Sequence, residues 1–592
     1  MGQLRKIAPT VLIVALFFGF SVFAFVPQTA RAQSITIIIN TDGSISSPVP
    51  ANITTSDNVT YAFTGNNYLP IVVNRSNIVI NGNGSWLEPN SGVHSSNGIT
   101  LVGVRNVTLK NIGKYLGSGI CGWAIGVYAY ACSGITIVNN LIWFNNFGIY
   151  LQNTSESAIA ENSVCWGSGG IVLNSSSNNI LLNNTCTKNG LWDGIHLIAS
   201  TSNVLSGNHA FEDRLILNGS DHNTLYHNIV SAEEVGPDIV LDDSNWNNLT
   251  GNSAGLVAGD CIDLISSWNN TLSKNVLGEG AMGHAISLYV SSFNALLGNT
   301  ANESSGATSG INLDLSQHNV LIGNNVDSYA EGIYVNSSAY DQILGNTLSG
   351  NSKVGIEIAS SSNVIVSGNN ITANGCGVYL NSSSGNSFYH NNFVNNTQQV
   401  SQSNSSDIWD NGYLSGGNYW GDYQTRYPSA TEIDGSGIWN TPYIIDANNT
   451  DNYPLVTPWT GHEVAITDLA LSETVAMGGT NVTVNIVVKN GGNYAETFNV
   501  TLYGEMLWWV ENDTFPLCVF TGVNLTPGST RVLSTAALLP AFPWGVYLLK
   551  AYAWQVPGET DAFDNAYVGP AIHALPSARF SLWMRWGRAK PL

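Results

Sequence analysis

The sequence predicts an all-β protein, a right-handed parallel β-helix followed by an immunoglobulin-like β-sandwich. Three observations carry this. A short motif returns every 20–25 residues from about residue 98 to 395. Within each repeat the apolar residues alternate as in a strand. Beyond about residue 460 the repeat stops and longer alternating runs begin. Sixty Gly and many Asn favour turns over helix interiors, which removes the helical folds.

In chain order, Arg5 and Lys6 precede the apolar stretch 11–26, and Ala30-Arg31-Ala32 reads as a cleavage site. Residues 1–32 are therefore expected to be a signal peptide or, uncleaved, an anchor. No later run is apolar and long enough to span a bilayer. The product is expected at the cell surface, in the periplasm or secreted. Many N-x-[S/T] sequons would permit glycosylation. Residues 33–459 are the expected β-helix. Ile35-Thr36-Ile37-Ile38-Ile39 reads as a capping strand, and the segment 77–84 as a strand and turn.

The repeat has two parts. One is Gly-[Ile/Val]-x-[Leu/Val], as in Gly148-Ile149-Tyr150-Leu151 and Gly194-Ile195-His196-Leu197. The other is Asn-x-[Leu/Ile/Phe]-x-x-Asn, with its second Asn at 140, 162, 184, 208, 228, 252, 275, 299, 324, 346, 369 and 391. A period this short with strand alternation means a solenoid. The Leu-rich frame of a leucine-rich repeat is missing. Ile and Leu should point inward and x outward. Stacked inward Asn should form a ladder, and Gly should permit close packing or left-handed angles at a corner. Thirteen or so coils give a rod roughly 60 Å long.

Segments 464–472, 481–489, 498–503, 530–539 and 546–554 read as strands of a sandwich over 463–570, and 571–592 as a loosely ordered tail. Seven cysteines leave at least one unpaired; Cys121–Cys132 and Cys165–Cys186 are candidate pairs, and burial as thiols is the other reading.

The repeats, with Gly417-Asn418-Tyr419-Trp420-Gly421-Asp422-Tyr423 and Asp451-Asn452-Tyr453-Pro454-Leu455, resemble NosD-like β-helix proteins. These belong to a wider set of carbohydrate-binding and sugar-hydrolase β-helices. Val488-Lys489-Asn490-Gly491-Gly492 and Leu525-Thr526-Pro527-Gly528 resemble the CARDB adhesion module. The first resemblance implies a copper-site accessory role. The residues do not, because neither His-x-His nor Cys-x-x-Cys occurs. The resemblance also implies an acidic metal-binding loop, here Asp434, Ser436 and Asn440. Ser436 stands where an acid is usual, so a simple turn competes with a Ca²⁺ site.

Nineteen Lys+Arg against 40 Asp+Glu exclude a nucleic-acid partner. Chemistry is expected on the outward positions of Gly-Ile-x-Leu and beside them. The candidates are Asp193, His196, Asp238, Asp242, Asp260, Asp263 and His284, with Asp213 and Arg214 nearby. Tyr150, Tyr334 and Tyr379 would be sugar platforms. Paired carboxylates, Asp238/Asp242 with Asp260/Asp263, would serve hydrolysis or hold Ca²⁺. His196 or His284 would abstract a proton in an epimerase or lyase. With Arg214 almost alone, an anionic polysaccharide is poorly served. The same acids also read as a solvated face that discourages lateral association. Two functions stand: a noncatalytic protein that binds glycan or mediates adhesion, with a surface-protein partner through the CARDB-like module, or a polysaccharide-active enzyme. The absence of a compact catalytic motif favours the first.

Overall fold

A computed structural model describes residues 36–575, except 91–94, 115–117, 191–192, 233–235, 256–258, 279–282, 303–307, 414, 460, 462, 493–494, 507–513, 527, 540–544, 557–558 and 560–563. The expected signal peptide and most of the tail lie outside the described residues.

Each repeat forms one coil with three short strands, and each strand pairs in parallel register with its counterpart one coil on. Sheet A contains the Gly-Ile-x-Leu strands, for example Ile195–Ile198 on Leu215–Asn218 on Ile239–Asp242. Sheet B contains strands such as Val204–Ser206, and sheet C strands such as His209–Phe211. Ile195, Leu197, Leu205 and Ala210 of a single coil all face one core that runs the length of the solenoid. Stacking in register puts like residues above like, so one motif fixes every coil.

The solenoid begins earlier than the repeat motif suggests. Ile37–Ile39 already pairs in parallel with Ile71–Val73. Sheet A has 17 strands, of which Ile45–Ser46 is antiparallel. The other sixteen make fifteen steps of about 4.8 Å, so the rod is about 70 Å long.

Asn does more than the single ladder expected. In the column of second Asn, Asn252 donates both its backbone N–H and its Nδ2 to Asn275 Oδ1, at 2.9 and 3.0 Å, and Nδ2 also donates to the Leu225 carbonyl. The first Asn of the motif builds a parallel ladder through Asn203, Asn223, Asn247 and Asn270. A third, of Ser hydroxyls, runs through Ser200, Ser220, Ser244 and Ser267. These columns bond the turn amides that no strand reaches, a necessity because the ladder residues themselves are buried. Gly is required in sheet A for close approach: a Cβ on Gly170 would meet the Gly194 carbonyl, and one on Gly332 that of Gly355.

The rod closes on stacked aromatics. Phe393 stacks on Trp420 at 4.4 Å and Trp420 on Tyr443 at 4.1 Å. Asp451 holds this plug by accepting bonds from the Asn418 backbone N–H and the Trp420 indole.

Residues 464–575 form a three-stranded and a five-stranded sheet around a second core. All five expected strands are present, and Val475–Met477, Thr514–Leu525 and Ala566–Leu575 join them. The last strand runs into what was read as tail. These sheets are docked on the rod. The Tyr226 hydroxyl donates to the Val568 carbonyl, and Lys274 Nζ donates to the carbonyls of Ile466 and Ala566 while lying over the Tyr567 ring. Tyr226 and Ile322, which point outward from sheet B, are consequently buried. All seven cysteines are free thiols, so the two candidate disulfides do not form; Cys186 and Cys261 are buried as small apolar residues.

Candidate functional site

The outer face of sheet A is built by register. The x residue of each strand stacks on the next: Tyr128, Tyr150, Val172, His196, Ile216, Val240, Asp263, Ser287, Asn312, Tyr334, Glu357 and Tyr379. Tyr150 and Tyr334 are eight coils apart, about 38 Å, so they flank the centre rather than share a short ligand.

At the N-terminal end the face is aromatic. Tyr128 and Tyr150 lie 6.1 Å apart, and Phe147 meets Tyr150 edge-on at 5.5 Å. Tyr128 donates to Gln152 Oε1, and Asn174 Nδ2 donates to the Tyr150 hydroxyl. Apolar ring surface beside amides is the composition that suits a sugar, whose C–H face and hydroxyls differ in the same way. Tyr334 and Tyr379 flank Glu357, whose carboxyl pKa is raised by burial and by Glu331.

The predicted acidic centre divides into distinct environments. Arg214 Nε bonds Asp193 Oδ1 at 2.5 Å, yet burial still raises the Asp193 pKa. Asp213 is no surface acid: it occupies a ladder position and accepts the backbone N–H and Nδ2 of Asn189, with burial raising its pKa to about 7. Asp238 is likewise buried and caps the Ala232 N–H, again with a pKa raised to about 7 by burial. It therefore does not pair on the face with Asp242, which accepts from Asn218. The expectation of a uniformly solvated acidic face fails at Asp193, Asp213 and Asp238.

Asp260 and Asp263 do come together. Asp263, set between Val240 and Ser287, has its pKa raised by burial first and by the neighbouring Asp260 carboxylate second. Asp260 also accepts the His284 N–H at 2.5 Å, and His284 Nδ1 lies 3.4 Å from Thr308 Oγ1. Burial and the like charge beside it both favour the protonated form of Asp263. His196 is three coils away, about 14 Å, and shares no site with it.

Asp434, Ser436 and Asn440 are each engaged by protein groups. Asp434 accepts the Tyr413 hydroxyl, Ser436 donates to the Ile433 carbonyl, and Asn440 bridges the backbone and hydroxyl of Thr431. Sequence reasoning missed a column of rings at the turn between sheets A and B: His222, Trp246, Phe293, His318 and Tyr340. Its signal was available, because each residue immediately precedes the first Asn, or Asp341, of a repeat.

A family model described as periplasmic copper-binding protein (NosD) matches residues 76–255 and again 256–425. No curated protein matches the chain in sequence. Among solved structures, the periplasmic alginate epimerase AlgG is 13% identical, with 60% of this chain and 81% of that chain covered and a TM-score of 0.36. The A-module of the mannuronan C-5 epimerase AlgE6 of Azotobacter vinelandii is 12% identical over 53% and 91%, with a TM-score of 0.32. A CARDB domain from Pyrococcus furiosus, in complex with di-metal ions, is 15% identical over 20% and 100%, with a TM-score of 0.17.

Copper does not fit the donors present. Among the described residues, the group of His, Cys, Asp or Glu close enough to share an ion is Glu463, Glu559 and Asp564, all hard carboxylates. Glu559 there accepts the Val464 and Val556 N–H groups and the Asn565 amide. The thiols are dispersed, and burial pushes Cys121 up to about 12.

Proposed function

The chain belongs to the NosD family, and from that premise we propose that it is an exported β-helix protein that binds glycan on the outer face of sheet A without turning it over. The observation that carries this reading is the cluster of Tyr128, Phe147 and Tyr150 with Gln152 and Asn174. It joins apolar ring surface to amides on a face that the C-terminal sheets leave uncovered, since their contacts lie on sheet B. No helix among the described residues is long and apolar enough to cross a membrane, which accords with export. The C-terminal sheets, proposed here as an immunoglobulin-like CARDB module, act first as a fixed companion of the rod. Any adhesive partner would use their remaining surface.

A second reading is favoured by one specific feature, the buried Asp263 carboxyl, its pKa raised, next to Asp260, which accepts the His284 N–H. It is the part of the face equipped for acid–base chemistry, as in a lyase or epimerase. A glycan array on the mature protein, followed by calorimetry on Tyr150→Ala, tests the binding reading. Loss of at least tenfold in affinity is expected, and unchanged affinity would refute the site. Product assays on the same glycans test the second reading: turnover abolished by Asp263→Asn would make the protein an enzyme.

A further inference from the structure

The turn between sheets A and B has a residue of positive φ just before the first Asn of each repeat. In many coils it is a residue at ease there: Asn178, Ser202, Asn269, Asn363 and Gly385. In others it is a large ring. Trp246 has φ 54°, Phe293 61° and Tyr340 61°. Bulky side chains are disfavoured in this region. These three also leave 52%, 55% and 52% of their surface in water, so core burial does not compensate them.

The rings form an ordered stack along the rod. His222 lies against Trp246 at 5.3 Å and 11°, Phe293 against His318 at 4.8 Å and 6°, and His318 against Tyr340 at 5.0 Å and 6°. Trp268, half exposed, fills the coil where the column itself has Asn269, its indole donating to the Val290 carbonyl. Val290 and Leu315 extend the apolar surface. The ridge spans five steps, about 24 Å, parallel to the axis. An exposed apolar patch of this extent marks an interaction surface.

Its surroundings select the occupant. The turn segments 219–223, 243–247, 266–270, 290–294, 315–319 and 337–341 contain no Lys or Arg and carry Asp221, Asp243 and the buried Asp341. That disfavours anionic polysaccharide and anionic lipid, and a second copy of a chain of net charge −21 would be repelled. Ring edges flanked by Asn245, Ser292 and Gln317 alternate apolar and hydrogen-bonding groups once per coil. A linear neutral glycan repeats in the same manner along its length. We propose that this corner is a track for a neutral polysaccharide chain running parallel to the rod. The proposal rests on the glycan-binding reading above and adds a separate face and the class of glycan.

The test replaces the rings by the residue the column already accepts. The triple variant Trp246→Asn, Phe293→Asn, Tyr340→Asn should melt within a few degrees of wild type. Calorimetry with cellohexaose, chitohexaose, mannohexaose and hexagalacturonate should show wild type binding at least one neutral hexasaccharide and not the uronate, with affinity lost at least tenfold in the triple variant. Unchanged affinity in the triple variant, with loss on Tyr150→Ala, overturns this inference and leaves the sheet A reading standing. Wild type binding none of the sugars overturns both. A wild-type dimer that the triple variant abolishes in sedimentation would make the ridge an interface between copies and overturn the track. So would a collapse in melting temperature with unchanged sugar affinity, which would make the stack a purely structural device.

Discussion

Asp341 stands where the first-Asn ladder calls for an amide, and its substitution by Asn should stabilise the rod in a pH-dependent way. The side chain is fully buried. Its Oδ1 accepts the Asn319 backbone N–H at 2.8 Å and Asn319 Nδ2 at 3.2 Å. Oδ2 has no hydrogen-bond partner. In equivalent positions an amide occupies that place and donates to the Ser of the preceding coil, as Asn294 Nδ2 does to the Ser267 carbonyl. The residue one coil on is Val364, whose side chain offers neither donor nor acceptor. Burial therefore raises the Asp341 pKa from 3.8 to about 7. A pKa raised in the folded state means the stability is fully present below pH 4, is lost as pH rises, and reaches its floor above pH 7. A shift of about 3 units at 1.36 kcal/mol each is worth about 4 kcal/mol. Asp341→Asn removes this dependence and supplies a donor for the Ser316 carbonyl. Thermal and urea unfolding of both proteins at pH 4, 6 and 8 gives the answer. The advantage of the variant should grow from near zero at pH 4 to several kcal/mol at pH 8. A difference that stays constant across this range would show that Asp341 does not titrate in the fold and would refute the argument.

Other consequences are measurable. Asn252→Leu removes four side-chain ladder bonds at a buried position, two that Oδ1 accepts from the Asn228 N–H and Nδ2 and two that Nδ2 donates to Asn275 Oδ1 and the Leu225 carbonyl, each unsatisfied group costing about 1–3 kcal/mol, and should lower the melting temperature; a melt within about 2 °C of wild type would contradict the ladder. A chain ending at residue 459 exposes Tyr226 and Ile322 and should be less soluble than the full chain, though each coil keeps its own core; equal solubility in light scattering would show that the docked sheets protect nothing. Lys274→Ala removes two bonds that tie Ile466 and Ala566 to the rod, and hydrogen exchange in strand Val464–Leu471 should rise while the rod is unaffected. Asp263→Asn removes a carboxyl whose pKa burial and Asp260 raise, so the variant should lose less stability than wild type as pH rises from 4 to 8; urea unfolding with the same pH profile in both proteins would show that Asp263 does not titrate in the fold.

Fold was legible because a solenoid repeats its physics. Once Gly-Ile-x-Leu is placed in one coil, register carries it to every other, and the inward Ile195 predicts the inward Leu215 and Ile239. The first coils were legible only as irregular ones, because Ile37–Ile39 and Ile71–Val73 satisfy the same pairing with no Asn motif between them. Docking of the C-terminal sheets left no local sign either. Tyr226 and Lys274 look like ordinary outward residues, and only tertiary contact makes one buried and the other a double donor.

The site was legible as a column and not as a set of depths. Period alone assigns His196, Asp263, Tyr334 and Tyr379 to one face, and register agrees. Residues next to that column depend on how each turn folds over, and turn length varies between coils. Asp213 follows a short coil and lands in the ladder, where its two oxygens replace the one oxygen of an Asn; Asp238 lies after a longer turn and folds back onto Ala232. Asp260 follows a turn of its own and reaches the face, over Gly283, where the missing Cβ leaves room for its carboxylate. Asp193, Asp213 and Asp260, each three residues before the outward x position, and Asp238, two before it, thus become an ion pair, a ladder rung, the neighbour of Asp263 and a cap. The difference decides where chemistry can occur. A ladder acid or a cap is committed to backbone N–H groups, whereas Asp263 is a protonatable carboxyl on the outward column with Asp260 beside it.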